Sequence, residues 1–292
     1  MKINLNNEET LSYVKRQGGE QTLLLIHGNM ASSVQWDLLV EKMDSAFTIY
    51  AVDLRGYGNS TYYSPVNSIR DFSEDIKQFA DQLNLDKFYL AGWSNGGGVA
   101  MQFAADYPEY VLNIILLSSM STRGFPVLNT DGKRIFSRDQ IIATPGISAM
   151  LDAQKSKNQE FFKSAMDQLL YSNNQPDEER YRQYLVSAVQ QRNMIDAAYA
   201  ANIFNISTVS NDAAEGTGEI KNIKAPVLII WGKNDLLTTE EMTLEIIEDM
   251  ENAGVNFSYS PVNAGHALLI DNLEAVLEEI YKFLDVTVDG GV

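Results

Sequence analysis

A five-residue turn constrains the fold of this chain more than any other segment. The apolar run at residues 87–91 predicts a buried strand, and it leads directly into Gly92-Trp93-Ser94-Asn95-Gly96. A helix-like stretch follows, so the segment predicts a strand, a sharp turn with Ser94 at its apex, and a helix. A turn this tight needs small residues two positions before and after its apex. Gly92 and Gly96 occupy both positions, which predicts an exposed serine at the end of a buried strand.

A serine held on such a turn can act as a nucleophile if a general base reaches its hydroxyl. The chain offers only two histidines, His27 and His266. His266 lies in a glycine-containing loop near the C-terminus, and loops at strand ends carry catalytic groups well. His27 ends an apolar strand, and we expect it to brace the loop that follows. We therefore predict that His266 is the base, rather than a loop histidine that only bonds to a backbone carbonyl.

A third group must orient the histidine. Residues 225–232 predict a fully buried parallel strand, and Asp235 follows its carboxyl end, where functional groups collect in an open α/β sheet. We expect Asp235 to accept the second N–H of His266 and to stabilise the imidazolium. Two alternatives stay open: Asp235 belongs only to a local turn, or Asp271 is the acid. We expect Asp271 instead to help start the last helix.

The order Ser94, Asp235, His266 is similar to that of the α/β-hydrolase fold superfamily. Three further segments resemble motifs of that superfamily: the oxyanion-loop motif at residues 27–29, a D-x-R-G-x-G-x-S segment at 53–60 and the histidine loop at 263–266. The chain resembles the serine esterase and lipase-like branch that carries a helical cap. The resemblance implies an α/β fold with a mostly parallel central sheet flanked by helices.

The alternation of strands and helices breaks in the middle of the chain. Residues 121–222 carry no strong strand signal but several amphipathic helical stretches, and a loop of that length is implausible in a compact fold. We predict a core made of residues 1–120 and 223–292, with residues 121–222 inserted as a helical cap. Further along, Thr238-x-x-Glu241 predicts a capping box that opens a helix, and residues 255–259 predict a short strand.

These parts predict hydrolysis of carboxylic esters of small to medium size. His266 takes the proton of Ser94, whose oxygen attacks the ester carbonyl and gives an acyl-enzyme that water later releases. The backbone N–H groups of Asn95 and Asn29 are expected to hold the oxyanion, with that of Met30 in reserve. Trp93 and Met30 are the candidates for the substrate pocket. No cofactor and no metal ion are expected.

Other activities remain open. The resemblance extends to intracellular polyhydroxyalkanoate depolymerases and to lactonases, which use the same triad, and to perhydrolases. The His-Gly-Asn motif also resembles that of haloalkane dehalogenases, but these enzymes and epoxide hydrolases need a carboxylate where this chain has Ser94. A protein of another class, which binds a ligand without catalysis, is disfavoured by the intact set of three residues.

Composition narrows the partners and the location. The net charge of −17 argues against a nucleic-acid surface, and the absence of cysteine excludes disulfides and thiolate metal sites. The first eight residues carry no long apolar stretch, so we expect no signal peptide, and no apolar run reaches the length of a membrane span. We expect a cytoplasmic protein with a small-molecule ester substrate and no membrane partner. Residues 285–292 are expected to fray, and the sequence carries no signal for oligomeric state.

Overall fold

An eight-stranded sheet forms the centre of the protein, whose computed structural model describes residues 1–285. The strands are β1 (Lys2–Asn4), β2 (Thr10–Arg16), β3 (Gln21–Ile26), β4 (Phe47–Val52), β5 (Phe88–Trp93), β6 (Val111–Leu117), β7 (Val227–Gly232) and β8 (Phe257–Val262). Their order across the sheet is β1-β2-β4-β3-β5-β6-β7-β8. β1 pairs with β2, and β2 with β4, in antiparallel fashion, whereas all the other pairs are parallel. The predicted mostly parallel sheet is confirmed.

Helices connect the parallel strands, and two more follow the last strand. They are α1 (Asp37–Lys42), α2 (Ile69–Gln82), α3 (Asn95–Asp106), α4 (Arg138–Ala143), α5 (Pro145–Lys155), α6 (Gln159–Leu169), α7 (Glu178–Gln190), α8 (Met194–Ile203), α9 (Glu240–Ala253), α10 (Leu268–Asp271) and α11 (Leu273–Leu284). Short 3-10 helices occupy Ser33–Trp36, Pro108–Tyr110 and Glu219–Asn222.

Both faces of the sheet are covered by apolar layers. Successive side chains of a strand point to opposite faces. In β3, Leu24 and Ile26 accordingly join the core cluster that contains α2 and α3, while Leu23 and Leu25 join the cluster that contains α1 and α11. The central strands are therefore buried on both sides, which explains their nearly continuous apolar sequences.

Residues 121–222 lie between β6 and β7, and we call them the helical insertion. They contain α4 to α8, and over this fully described stretch no strand joins the sheet. Phe162 and Met166 of α6 pack against Tyr181 and Leu185 of α7 in a cluster separate from the two layers of the sheet. The division of the chain at residues 120 and 223 stays a prediction. Residues 286–292, part of the predicted core and of the end expected to fray, lie outside the described residues.

Several local predictions need correction. The strand predicted at 255–259 begins and ends later, at Phe257–Val262, and the strands β1 and β2 were not predicted. Thr238 does not cap α9: the N-cap is Thr239, whose hydroxyl accepts from the N–H of Met242. Thr238 is instead buried, and its hydroxyl donates to the carboxylate of Asp235.

Candidate active site

Ser94 occupies a strained turn between β5 and α3. Its backbone has φ 57° and ψ −123°, a left-handed conformation that costs a non-glycine residue energy. A Cβ atom on Gly92 would lie 2.3 Å from the carbonyl oxygen of Gly96, and one on Gly96 would lie 2.2 Å from that of Ile26. Only glycine fits at either position, so the steric prediction made from the sequence is confirmed.

The structure brings His266 and Asp235 into direct contact. His266 Nδ1 lies 2.8 Å from Asp235 Oδ2, and both side chains are buried. The carboxylate also accepts hydrogen bonds from the N–H of Leu237 at 2.8 Å and of Thr238 at 3.0 Å, and from the Thr238 hydroxyl at 2.6 Å. These donors hold the carboxylate in a fixed orientation toward the imidazole.

The same contacts set the ionisation of Asp235. Burial alone raises the pKa of this carboxyl, because it penalises the charged form. The charge of a protonated His266 and the hydrogen bonds from His266, Thr238 and Leu237 outweigh burial, so the pKa lies below its ordinary value. Asp235 is therefore ionised at neutral pH. It accepts the proton of Nδ1 and leaves Nε2 of the histidine as the atom able to take a proton.

Ser94 and His266 line the same cavity. Across residues 1–285, the hydrogen bonds of the imidazole run from Nδ1 to Asp235 and Thr238, and none joins Nε2 to the Ser94 hydroxyl. Such bonds are often long before substrate binds. The Trp93 indole, next to the serine, donates from Nε1 to the carbonyl of His266 at 2.9 Å and ties the histidine loop to the end of β5.

Among residues 1–285 no hydrogen bond joins Asp271 to the imidazole of His266, but Asp271 does not start α11 either, which was its expected role. The N-cap of α11 is Asn272. The buried Asp271 carboxylate accepts from the N–H of Gly265 at 2.6 Å and from the N–H groups of Ser172, Asn173 and Asn174 at 3.0, 2.9 and 2.9 Å. It therefore anchors the histidine loop to the helical insertion.

The loop after β3 lies directly against the serine. We call residues 28–30 the oxyanion loop; a Cβ atom on Gly28 would lie 2.9 Å from the Ser94 Cβ. Asn29 and Asn95 line the cavity, and among the described residues no hydrogen bond uses the N–H of either one. Asn95 is the first residue of α3, where an N–H has no intrahelical acceptor. Two free N–H groups therefore flank the nucleophile.

Met30 cannot serve as the reserve donor in this conformation. Its N–H already donates to the side-chain oxygen Oε1 of Gln191 at 3.0 Å. Met30 does line the cavity, as does Trp93, so the structure places both predicted pocket residues at its wall.

His27 and Asp53 fix the loops around the site. His27 Nε2 accepts the N–H of Leu54 at 3.0 Å, and its Nδ1 lies 2.7 Å from the carbonyl of Gly28, so the ring is neutral. Complete burial lowers the pKa of His27 and outweighs the nearby charge of Asp53. Asp53 accepts from the N–H groups of Ser33 and Asn59. Both residues brace backbone, which is the role expected of His27.

The cavity above Ser94 has a volume of about 220 Å³ and an apolar wall. Asp, Glu, Lys and Arg are all missing from the described residues that form the wall. The core contributes Asn29, Met30, Gln35, Trp93, Ser94, Asn95, Met120, Leu237 and His266, and the helical insertion contributes Phe125, Val127, Ile147, Met150, Phe161, Phe162, Ala165, Met166, Leu169, Leu170, Tyr171, Tyr184, Ala197, Ala198 and Ala201. The insertion thus supplies most of the surface that a substrate would touch.

Residues 1–285 contain no group of three or more His, Cys, Asp or Glu side chains arranged to hold a metal ion. None of their helices combines the length and the apolar character needed to cross a membrane.

Known proteins resemble this chain over most of its length. A family model described as alpha/beta hydrolase fold matches residues 21–273. A 2-hydroxy-6-oxononadienedioate/2-hydroxy-6-oxononatrienedioate hydrolase of Paraburkholderia phymatum is 24% identical over 252 residues, which cover 84% of this chain and 82% of that protein.

The acetyltransferase component of the acetoin cleaving system of Cupriavidus necator is 32% identical over 106 residues, but the match covers only 36% of this chain and 28% of that protein. Among solved structures, an esterase from Exiguobacterium antarcticum has a TM-score of 0.74 at 18% identity and covers 97% of this chain and 98% of its own. An enol-lactonase from Burkholderia xenovorans has a TM-score of 0.69 at 19% identity, covering 98% of this chain and all of its own. These structural likenesses concern the fold.

Proposed function

The chain belongs to the alpha/beta hydrolase fold family, and we propose that it is a serine hydrolase that cleaves uncharged carboxylic esters through an acyl-enzyme on Ser94. The observation that carries the proposal is the buried contact of 2.8 Å between His266 and Asp235, at a cavity whose wall also includes Ser94. Such an arrangement supplies a nucleophile, a base and an orienting acid at one point.

In the proposed reaction, His266 Nε2 takes the proton of the Ser94 hydroxyl while the Ser94 oxygen attacks the ester carbonyl. Asp235 stabilises the imidazolium, and the N–H groups of Asn29 and Asn95 hold the negative charge on the carbonyl oxygen. The imidazolium then protonates the leaving alcohol, and a water molecule, deprotonated by His266, releases the acid. Each oxyanion donor is worth about 3 kcal/mol of transition-state stabilisation.

The residues in the cavity wall favour a substrate with an uncharged acyl group. A carboxylate needs a cation or several N–H donors when it leaves water, and the described wall carries no Lys or Arg. The Paraburkholderia relative is named for a dioate, a molecule with two carboxylates. The cavity therefore disfavours a substrate with two carboxylates in this protein.

The size of the cavity supports small to medium substrates. Its volume of about 220 Å³ lies below the range of about 300–1,000 Å³ that is typical of pockets for drug-sized ligands. We propose that the helical insertion, residues 121–222, acts as a cap that sets this limit. A lactone, which is a cyclic uncharged ester, fits the same description, whereas a long polyester chain does not.

A fluorophosphonate probe tests the nucleophile. We expect stoichiometric labelling of the wild type, none in Ser94→Ala and a large decrease in His266→Ala. Ser210→Ala, a change at an exposed serine of the helical insertion, is the matched control and should label like the wild type. If the folded wild type is not labelled, the proposal is wrong and a non-catalytic ligand-binding protein is favoured.

A panel of substrates tests the specificity. p-Nitrophenyl esters from acetate to palmitate, a δ-lactone, a short-chain polyester and a 2-hydroxy-6-oxo-dienedioate cover the alternatives. We expect the highest kcat/KM between butyrate and octanoate, measurable lactone hydrolysis and no turnover of the dioate. Faster hydrolysis of palmitate or of the dioate would contradict the assignment of the cavity.

A further inference from the structure

The helical insertion docks onto the core beside the oxyanion loop through the segment that joins α7 to α8. Arg192 donates its N–H to the carbonyl of Gly56 at 2.8 Å, and Asn193 donates from Nδ2 to the carbonyl of Arg55 at 2.7 Å. Both acceptors are main-chain atoms of the core. The segment 191–193 is thereby fixed to the core by its backbone and by a buried side chain.

Gln191, the first residue of this segment, reaches the oxyanion loop with both ends of its carboxamide. Its Nε2 donates to Oδ1 of Asn29 at 2.7 Å and to Oδ1 of Asn193 at 3.0 Å, and its Oε1 accepts the N–H of Met30 at 3.0 Å. The side chain is only 4% exposed and does not line the cavity. It therefore contacts the loop without being placed to contact a substrate.

These hydrogen bonds stabilise the oxyanion loop, whose backbone is strained at Met30. Met30 has φ 52°, a left-handed conformation that a non-glycine residue adopts only when its surroundings impose it. Gln191 holds the N–H of Met30, and together with the Tyr57 hydroxyl, 2.9 Å from Asn29 Oδ1, it holds the side chain of Asn29. The residue that carries the free N–H is thus held through its own side chain and through the peptide that follows it.

We propose that Gln191 is a positioning residue that aims the N–H of Asn29 at the oxyanion, so that docking of the helical insertion completes the oxyanion hole. The inference rests on the proposed function of Ser94. A donor stabilises a developing charge only if it points at that charge before the reaction, because reorientation during the reaction removes most of the benefit. Gln191 supplies that fixed orientation from outside the core.

The test compares Gln191→Met with Gln190→Met. Methionine keeps the length of the side chain but makes none of the three hydrogen bonds, and Gln190 is the exposed neighbour at the end of α7. We expect kcat for p-nitrophenyl butyrate to fall 10- to 100-fold in Gln191→Met with KM changed less than twofold, because the lost interaction exists only in the transition state. Gln190→Met should behave like the wild type.

Two inhibitors separate positioning from general structural damage. An alkyl trifluoromethyl ketone adds to the serine and forms an oxyanion, whereas the alcohol of the same chain fills the cavity without charge. In Gln191→Met we expect the inhibition constant of the ketone to rise by about the factor lost in kcat, and that of the alcohol to stay within twofold. Unchanged ketone binding, or an equal loss for ketone and alcohol, would overturn the role of Gln191.

A second variant covers the case in which Gln191→Met does not fold. Gln191→Glu keeps an acceptor for the N–H of Met30 but, when ionised, cannot donate to Asn29. We expect the inhibition constant of the ketone to rise at least threefold in Gln191→Glu, and that of the alcohol to stay unchanged. An inhibition constant of the ketone equal to that of the wild type would reject the proposal. A wild type that neither labels at Ser94 nor binds the ketone would instead refute the proposed function itself.

Discussion

Asp271 offers the sharpest test of how the histidine loop is held. Its carboxylate accepts four backbone N–H groups, from Gly265 in the histidine loop and from residues 172–174 in the helical insertion. Asp271→Asn keeps the shape of the side chain but replaces one acceptor oxygen with a donor. The amide can still accept from residues 172–174, and its NH₂ group then faces the N–H of Gly265.

The cost follows from these contacts. A buried N–H without an acceptor costs about 1–3 kcal/mol, and the remaining bonds weaken by roughly half because the acceptor is no longer charged. We therefore expect Asp271→Asn to lower the free energy of unfolding by about 3–5 kcal/mol. Because Gly265 directly precedes His266, kcat should fall as well, by about tenfold or more.

Urea unfolding at neutral pH measures the first effect, and hydrolysis of p-nitrophenyl butyrate the second. Asp86→Asn is the control, because Asp86 is exposed and sits outside the site. A surface change of this kind stays within about 0.5 kcal/mol of the wild type. If Asp271→Asn unfolds within the same margin, the carboxylate does not hold the two segments together and the reasoning is refuted.

Three further predictions concern the elbow, the acid and the cavity. Gly96→Ala should abolish labelling of Ser94 and destabilise the fold by more than about 2 kcal/mol in urea, because its Cβ would lie 2.2 Å from a backbone oxygen. Asp235 has a lowered folded-state pKa, so it stabilises the protein above the ordinary carboxyl pKa of about 3.9, and this stabilisation is lost as the pH falls through the folded value. Asp235→Asn should therefore flatten the thermal unfolding profile between about pH 5 and pH 2; an unchanged profile would contradict the shift. Ala198→Arg, which puts a cation into the cavity wall, should raise kcat/KM for a p-nitrophenyl hemisuccinate relative to the butyrate by about tenfold, whereas the uncharged Ala198→Met should not.

The parts of the molecule that the sequence predicts well are those that local sterics and periodicity determine. A tight turn around Ser94 requires glycine at positions 92 and 96, and the apolar run at 87–91 overlaps β5, which spans Phe88–Trp93. The position of Asp235 could be predicted because the carboxyl ends of parallel strands share one edge.

Contacts between distant residues leave no such pattern. Gln191 reaches Asn29 across 162 positions, and Asp271 reaches Asn174 across 97, so neither role could be found from spacing or composition. At Thr238, in contrast, a local sequence pattern is present but predicts the wrong structure. Its local sequence fits a helix cap, but the bond to the buried carboxylate of Asp235 is stronger than a cap at the surface, and the helix begins after Thr239 instead.

The uncharged wall of the cavity has a consequence for the acid that the proposed reaction would release. In the proposed reaction at neutral pH, the acid product is an anion beside Ser94, where the described wall offers neither lysine nor arginine to neutralise it. Retaining an unsolvated carboxylate there is unfavourable, and a molecule of net charge −17 repels it once it is outside. Turnover should therefore continue as free acid accumulates in solution, with the inhibition constant of the acid far above the KM of its ester.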